Sequence, residues 1–151
     1  NLIKNKFYKT NGGSAKMRPD VRKTIDHLSF LHIHTAIVSA EVSVNLYRQL
    51  IRWGNLQRSF DFIKAEAWGD KGKEKALVRV VEVFDVKFDE MIYVDDSVDG
   101  LTSAKNVGVI PVAFTNPTGY HSEHRLAQVT EFSVKEIWEL NNLIGVRSGL
   151  S

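Results

Sequence analysis

Met91-Ile92-Tyr93-Val94-Asp95-Asp96-Ser97 is an apolar run that ends abruptly in two carboxylates and a hydroxyl. The run is short and rich in β-branched and aromatic side chains, which predicts a buried β-strand rather than a helix. Two adjacent like charges at the end of a strand need a cation, a proton or solvent to offset their repulsion. The stretch therefore predicts a magnesium-type site at a sheet edge, with a solvated strand-to-helix turn as the alternative.

The residues after the carboxylates predict a short helix. Ser97 is a preferred N-cap residue, and Leu101, Ala104 and Val107 follow at helical spacing. Gly108 stands where a left-handed C-terminal cap belongs. The N-terminus of this helix should face the same space as the two carboxylates.

The rest of the chain alternates predicted helices with short predicted strands. The helices are expected at 19–31, along the apolar face of Val42, Leu46, Leu50 and Trp53, and from near Lys73 to Phe84; the strands are expected at 35–38, 60–65 and 109–114. Residues 115–125 are predicted to form a surface loop. Ser133 and Glu136 form the pattern of a capping box, which predicts that a terminal helix begins there. Such alternation is typical of βαβ units around a parallel sheet, so we expect an α/β fold.

The composition restricts the class of protein. With 151 residues, 43% of them hydrophobic, the chain is long enough for one globular domain with a real core. Its 20 basic and 18 acidic residues are interspersed, so we expect no nucleic-acid partner. It has no Cys, which suits a reducing compartment, and no stretch of membrane-spanning length, so we expect a cytoplasmic protein without a membrane partner. We assign 1–17 to an arm or loop and 18–151 to a single core domain.

Polar residues of the kind that perform chemistry follow several of the predicted strands. Ser39 closes one strand, Asp95 and Asp96 close another, and Lys71 and Lys73 come after a third. Parallel α/β sheets bind their ligands outside the carboxyl ends of the strands. We therefore expect these side chains to meet at one edge of the sheet.

In this order the residues resemble the haloacid dehalogenase superfamily, whose members are mostly magnesium-dependent phosphohydrolases. Ile37-Val38-Ser39 is similar to the second motif of that family, Lys73 or Lys71 to the third-motif lysine, and Val94-Asp95-Asp96-Ser97 to the fourth-motif acidic pair. The Asp-Asp form and the short separation between Ser39 and the lysines resemble the small capless phosphatase branch. The resemblance covers roughly 17–144, and it implies a Rossmann-like three-layer α/β/α fold with a mostly parallel central sheet.

The resemblance also implies a role for each side chain. Asp96 is the expected direct ligand of Mg²⁺. Asp95 is expected either to be a second ligand or to lie in the second coordination sphere of the metal. Lys73, with Lys71 as the alternative, is expected to offset the charge of the phosphate and the carboxylates. The alternatives without a role in catalysis are that Ser39 only caps the next helix and that the lysines are solvated surface charges. The residues expected to contact the substrate phosphate are Ser39, Ala40 and Ser97.

The nucleophile motif of the family is missing. No Asp-x-Asp occurs in the sequence, and Asp20 follows Pro19 without a strand before it. Either a segment upstream of Asn1 carries the nucleophile, or the chain is a degenerate relative that binds phosphate or a partner without catalysis. We expect a further central strand between those that end at Ser39 and Asp95, supplied by upstream residues or by Leu2–Tyr8.

The expected substrate is a small phosphate ester or a phosphorylated protein, and the sequence sets no oligomeric state. A phosphoacceptor receiver domain is the less suitable interpretation, because there the acidic pair precedes the hydroxyl and the lysine. His32 with His34, and His121 with His124, have spacings compatible with metal binding, but neither pair has an evident third ligand. Packing or surface positions are the expected roles of these histidines.

Overall fold

The structure is a computed structural model that describes residues 17–115 and 121–148. Its helices are α1 (Pro19–Phe30), α2 (Ser43–Arg52), α3 (Gly72–Phe84), α4 (Val98–Val107), α5 (Glu123–Ala127) and α6 (Leu140–Ser148). Its strands are β1 (Ala36–Val38), β2 (Phe62–Lys64), β3 (Ile92–Asp95), β4 (Ile110–Phe114) and β5 (Ser133–Val134). Short 3₁₀ turns lie at Leu56–Ser59, Phe88–Glu90 and Ile137–Glu139.

The described strands form two sheets, and every strand pair is parallel. β1 pairs with β2, while β4 lies between β3 and β5. In the described residues, β1 has no strand partner on its edge away from β2, and β3 has none on its edge away from β4. Val38 of β1 and Tyr93 of β3 nevertheless pack against the same cluster of buried residues, which includes Leu77 and Ala104. The two sheets therefore share one core, and the α/β fold with a parallel sheet is confirmed.

Helices cover both faces of the β1–β2 sheet. Ile37 packs against Ile25 of α1 and Leu50 of α2, whereas the next residue, Val38, packs against Leu77 of α3. Successive side chains of a strand point to opposite faces, so these contacts place α1 and α2 on one face and α3 on the other. Around β1 and β2 this gives a layer of helices, a sheet and a second layer of helices, as the family resemblance implies.

The terminal helix begins later than predicted, and the expected capping box is wrong. Ser133 lies in β5, because β4 takes its backbone partners there: the Thr115 N–H donates to the Val134 carbonyl at 2.9 Å. The Glu136 side chain forms an ion pair with Arg18 instead of reaching back to Ser133. Both contacts join residues that are distant in sequence, and a local sequence pattern cannot reveal such contacts. The predicted loop 115–125 is likewise too long, since α5 begins at Glu123.

The predicted N-terminal arm and the segment Leu2–Tyr8 lie outside the described residues, apart from Met17. Met17 packs with Val21 and Trp53 against the core of α1 and α2. Across the described ranges, no helix combines the length and the apolar character needed to cross a bilayer.

Candidate functional site

Asp95, the last residue of β3, is the centre of a hydrogen-bonded cluster. Its Oδ2 accepts from Lys73 Nζ at 2.5 Å and from the Tyr93 hydroxyl at 2.8 Å. Its Oδ1 accepts from the Ser97 N–H at 2.9 Å and from the Ser97 hydroxyl at 2.8 Å. An ionised carboxylate has about four lone-pair positions, so these four bonds occupy its accepting capacity.

The cluster keeps Asp95 ionised. Burial acts to raise the pKa of Asp95, but the charge of Lys73 and the hydrogen bonds from Lys73, Tyr93 and Ser97 outweigh it and hold that pKa below its usual value. The pKa of Tyr93 is raised, first by burial and then by the charge of Asp95, so the phenol remains a donor. The Lys73 and Asp95 side chains are only 23% and 10% exposed, which gives a partly desolvated ion pair.

Helix α4 begins directly against this ion pair. The Ser97 hydroxyl accepts from the Gly100 N–H at 3.0 Å, which confirms Ser97 as the N-cap. A Cβ at Gly100 would lie 2.0 Å from Asp95 Oδ2 and 2.8 Å from Lys73 Nζ. The close approach of the helix to the ion pair thus requires glycine at position 100.

Gly100→Ala is expected to lower the free energy of unfolding by about 1–3 kcal/mol, because the added methyl overlaps a carboxylate that four hydrogen bonds hold in place. Urea denaturation measures the change. Thr102→Ala, at an exposed position of the same helix, is the matched control and should change stability little. Alanine favours a helix interior by about 1 kcal/mol over glycine, so a more stable Gly100→Ala variant would show that the helix has room there.

Hydrogen bonds join the end of β1 to the loop that leads to Lys73. The Ser39 N–H donates to the Lys64 carbonyl, and the Ala67 N–H donates to the Ser39 carbonyl, both at 2.9 Å. Ala67 in turn lies against the start of α3, where a Cβ at Gly72 would be 2.9 Å from the Ala67 carbonyl carbon. Contacts through Ala67 and Gly72 therefore connect Ser39 to the start of α3, where Lys73 bonds to Asp95. These contacts are compatible with the prediction that the residues share one edge of the sheet.

The Ser39 hydroxyl faces the turn that follows β1. Its Oγ accepts from the Glu41 N–H at 3.1 Å. Helix α2 has Val42 as its N-cap, so Ser39 does not cap that helix. Among the described residues the hydroxyl hydrogen of Ser39 has no acceptor, and the neighbouring Ala40 is exposed. The hydroxyl can therefore donate to a ligand at this edge.

Lys71 occupies a different place from Lys73. It precedes α3 in a left-handed conformation, with φ of 53°, and its side chain lines a shallow surface groove with Glu74 and Val107. In the described structure only Lys73 of the two lysines bonds to Asp95. The geometry thus separates the two lysines that the sequence left as alternatives.

Asp96 and His121 are joined through the backbone. The His121 N–H donates to the Asp96 carbonyl at 3.2 Å, and His121 Nδ1 accepts from the Val98 N–H at 2.9 Å. His124, three residues on, is exposed in α5. The two histidines thus do not form a pair at one site, and His34 stacks on Phe84 elsewhere, with ring centroids 4.7 Å apart.

The side chains of the site can be compared with those that Mg²⁺ normally binds. Within 17–115 and 121–148, no three His, Cys, Asp or Glu side chains gather into a metal site. Mg²⁺ commonly takes one or two protein carboxylates and completes its shell with water and phosphate oxygens. Asp96, half-buried beside the saturated Asp95, fits the role of a single carboxylate ligand.

Sequence reasoning missed Tyr93 and Gly100, and it considered His121 only as a possible metal ligand with His124. Tyr93 lies two positions before Asp95 in the same strand, and that spacing puts both side chains on one face, so the signal was present. Gly100 in the first turn of a helix disfavours the helix by its own propensity, which is a weaker sign of close packing. His121 comes from a segment distant in sequence, and no local pattern shows that it bonds to Asp96 and Val98.

Comparison with known proteins identifies the family of the chain. Residues 2–114 match the family model of haloacid dehalogenase-like hydrolases. No curated protein sequence matches the chain significantly.

Similar folds occur among solved structures. A predicted phosphoglycolate phosphatase from Haemophilus somnus has a TM-score of 0.75 at 16% identity, over 90% of this chain and 61% of that one. A haloacid dehalogenase-like protein from Agrobacterium tumefaciens has a TM-score of 0.75 at 24% identity, over 88% of this chain and 62% of that one. A phosphatase of the same superfamily from Thermococcus onnurineus has a TM-score of 0.71 at 20% identity, over 85% and 58%. The chain thus spans less than two thirds of the length of these proteins. Through the family match over most of its length, the chain belongs to the haloacid dehalogenase-like hydrolases.

Proposed function

We propose that this chain is the core of a magnesium-dependent phosphoester hydrolase. The observation that carries the proposal is the Lys73–Asp95 ion pair, which adjoins Asp96 and connects through Ala67 to Ser39. A cation, a hydroxyl donor and a carboxylate for Mg²⁺ at one edge are the groups that phosphoryl transfer needs. Family membership as a hydrolase supports the same reaction class.

Each side chain has a task in the proposed reaction. Bound Mg²⁺ would neutralise charge on the phosphate oxygens, with Asp96 as its protein ligand. Lys73, held by Asp95, places a second positive charge at the site, and the Ser39 hydroxyl donates to a phosphate oxygen. Tyr93 and Ser97 act through Asp95, because the hydroxyl groups of both residues donate hydrogen bonds to its carboxylate. The exposed Ala40 would line the phosphate site without a charge of its own.

The nucleophile in this proposal is a carboxylate on a strand between β1 and β3. It would attack phosphorus and displace an alkoxide, which takes a proton from solvent to leave as the alcohol. Water would then hydrolyse the acyl phosphate, which releases inorganic phosphate and restores the carboxylate. Because no Asp-x-Asp occurs in the sequence, the proposal places this carboxylate outside the 151 residues. The proposed substrate is a small phosphate ester or a phosphorylated protein.

Lys73→Ala is expected to slow hydrolysis of an aryl phosphate by at least about tenfold more than Lys71→Ala does, because only Lys73 bonds to Asp95. The assay compares turnover by the natural protein, including any residues that precede Asn1, with and without Mg²⁺. Ser39→Ala should have a smaller effect than Lys73→Ala, since it removes a neutral donor. A larger loss in Lys71→Ala than in Lys73→Ala would contradict this assignment.

The alternative function is a phosphate-binding or interaction module that does not catalyse. The missing Asp-x-Asp favours it, while the charged cluster around Asp95 is compatible with both functions. The two differ in one measurable respect: a binding module would bind inorganic phosphate with Lys73 in place, yet release none from an ester. Turnover that depends on Mg²⁺ and stops on chelation excludes the module.

A further inference from the structure

One residue from outside the turn that carries Asp96 bonds to both ends of that turn. We call residues 96–98 the Asp96 turn. His121 bonds to both ends of this turn: its N–H donates to the Asp96 carbonyl at 3.2 Å, and its Nδ1 accepts from the Val98 N–H at 2.9 Å. From these two hydrogen bonds we infer that His121 is a positioning residue. It fixes the backbone of the Asp96 turn and so directs the Asp96 carboxylate toward a divalent cation.

The bond to Val98 is specific to a ring nitrogen that carries no proton. Val98 is the first residue of α4, and the N–H groups of a first helical turn have no partner within the helix. Ser97 Oγ takes the Gly100 N–H, and His121 Nδ1 takes the Val98 N–H. An imidazole nitrogen that accepts a hydrogen bond leaves the ring proton on Nε2. The contact therefore selects one tautomer of His121.

Hydrogen bonds hold both residues of the acidic pair. Four side-chain and backbone donors from nearby elements fix Asp95 through its own carboxylate. At Asp96 the backbone carbonyl also accepts a hydrogen bond, from the His121 N–H, and His121 lies well after β4 in the chain. Outer residues that orient a metal ligand typically change metal affinity 10- to 100-fold when removed. The inference rests on the proposed role of Asp96 in binding Mg²⁺.

The test uses three substitutions of His121 and one control in the natural protein. In His121→Asn the side-chain oxygen is attached to Cγ, as Nδ1 is in histidine, so an acceptor stays near the Val98 N–H. In His121→Gln the oxygen lies one bond farther out, and His121→Ala has no acceptor. His124→Ala, in α5 and exposed, is the matched control.

The readouts are the dissociation constant of Mg²⁺, followed by the amide resonance of Asp96, and the hydrogen-exchange rate of the Val98 N–H. We expect His121→Ala and His121→Gln to bind Mg²⁺ about tenfold more weakly and to exchange the Val98 hydrogen at least about tenfold faster. His121→Asn should stay within about threefold of the parent on both measures, and His124→Ala should match the parent. The parent should also show an unprotonated Nδ1 in its ¹⁵N spectrum. Rescue by asparagine but not by glutamine distinguishes positioning from a general loss of stability.

Two results would overturn the inference. One is Val98 exchange that is unchanged in His121→Ala; the other is a His121→Asn variant as impaired as His121→Ala. Failure of the proposed function looks different: the parent would then show no Mg²⁺-dependent shift at Asp96, while the Val98 exchange rates would still report whether His121 holds the turn.

Discussion

Asp96→Asn is expected to lower the Mg²⁺-dependent turnover of an aryl phosphate by at least about a hundredfold. The substitution keeps the size of the side chain but removes the negative charge that Mg²⁺ needs in a ligand, so both metal affinity and stabilisation of the transition state fall. Asp95 is a poor substitute as ligand, because its two oxygens already accept four hydrogen bonds. The measurement is turnover of the natural protein over a range of Mg²⁺ concentrations.

Two other carboxylates serve as comparisons for Asp96. Asp99→Asn, exposed in the first turn of α4, should leave turnover near that of the parent. Asp95→Asn should impair the protein by another route, because it leaves the half-buried Lys73 without its charged partner and lowers the free energy of unfolding. Turnover in Asp96→Asn equal to that of the parent, together with activity that persists in a chelator, would refute Asp96 as a metal ligand.

Much of the fold could be predicted because short-range pattern determines it. The apolar stripe of α3 contains Ala76, Leu77 and Val80, all buried, as their helical spacing predicts. The caps of α4 also depend on local chemistry: Ser97 accepts from the Gly100 N–H, and Gly108 has φ of 89°, which glycine adopts without strain. Such features need only neighbours in the chain.

Features that depend on distant residues could not be predicted. Ser133 and Glu136 have the local pattern of a capping box, but β4 recruits Ser133 into the sheet and Arg18 pairs with Glu136. His121 bonds to the Asp96 turn across 23 residues, from Val98 to the imidazole. In the site, the strand-end position of Asp95 follows from the sequence, while its four hydrogen bonds depend on how α3 and α4 pack.

The second large effect is expected from a strand that would complete the sheet at the edges of β1 and β3 that have no partner in the described residues. Every residue of these two strands is only half-buried, whereas β4 contains the buried Val112 and Ala113. Strands inside a parallel sheet are normally covered on both faces and paired on both edges. In the described residues β1 and β3 each lack a partner on one edge, and an unsatisfied buried backbone group costs about 1–3 kcal/mol. A further strand inserted between them would remove this cost.

We therefore expect the 151-residue chain alone to hydrolyse no phosphate ester, and a form extended upstream of Asn1 to hydrolyse it in the presence of Mg²⁺. The reason is that the strand which completes the sheet is also the proposed source of the nucleophile. Parallel assays of the two forms, with an aryl phosphate and matched Mg²⁺, measure the difference. Clear Mg²⁺-dependent activity of the shorter chain would refute the missing nucleophile, and inactivity of both forms would favour the binding module.

Hydrogen exchange tests the strand separately from catalysis. In the 151-residue chain, amides at those edges of β1 and β3 that have no partner strand in the described residues should exchange much faster than amides of β4, which has a partner on each side. In the extended form, the amides of β1 and β3 should be protected to a similar degree as β4. If they are already protected in the shorter chain, then residues within it complete the sheet, with Leu2–Tyr8 as the expected segment; that segment contains no Asp or Glu, so it could not supply the proposed carboxylate nucleophile, and the binding module would be favoured.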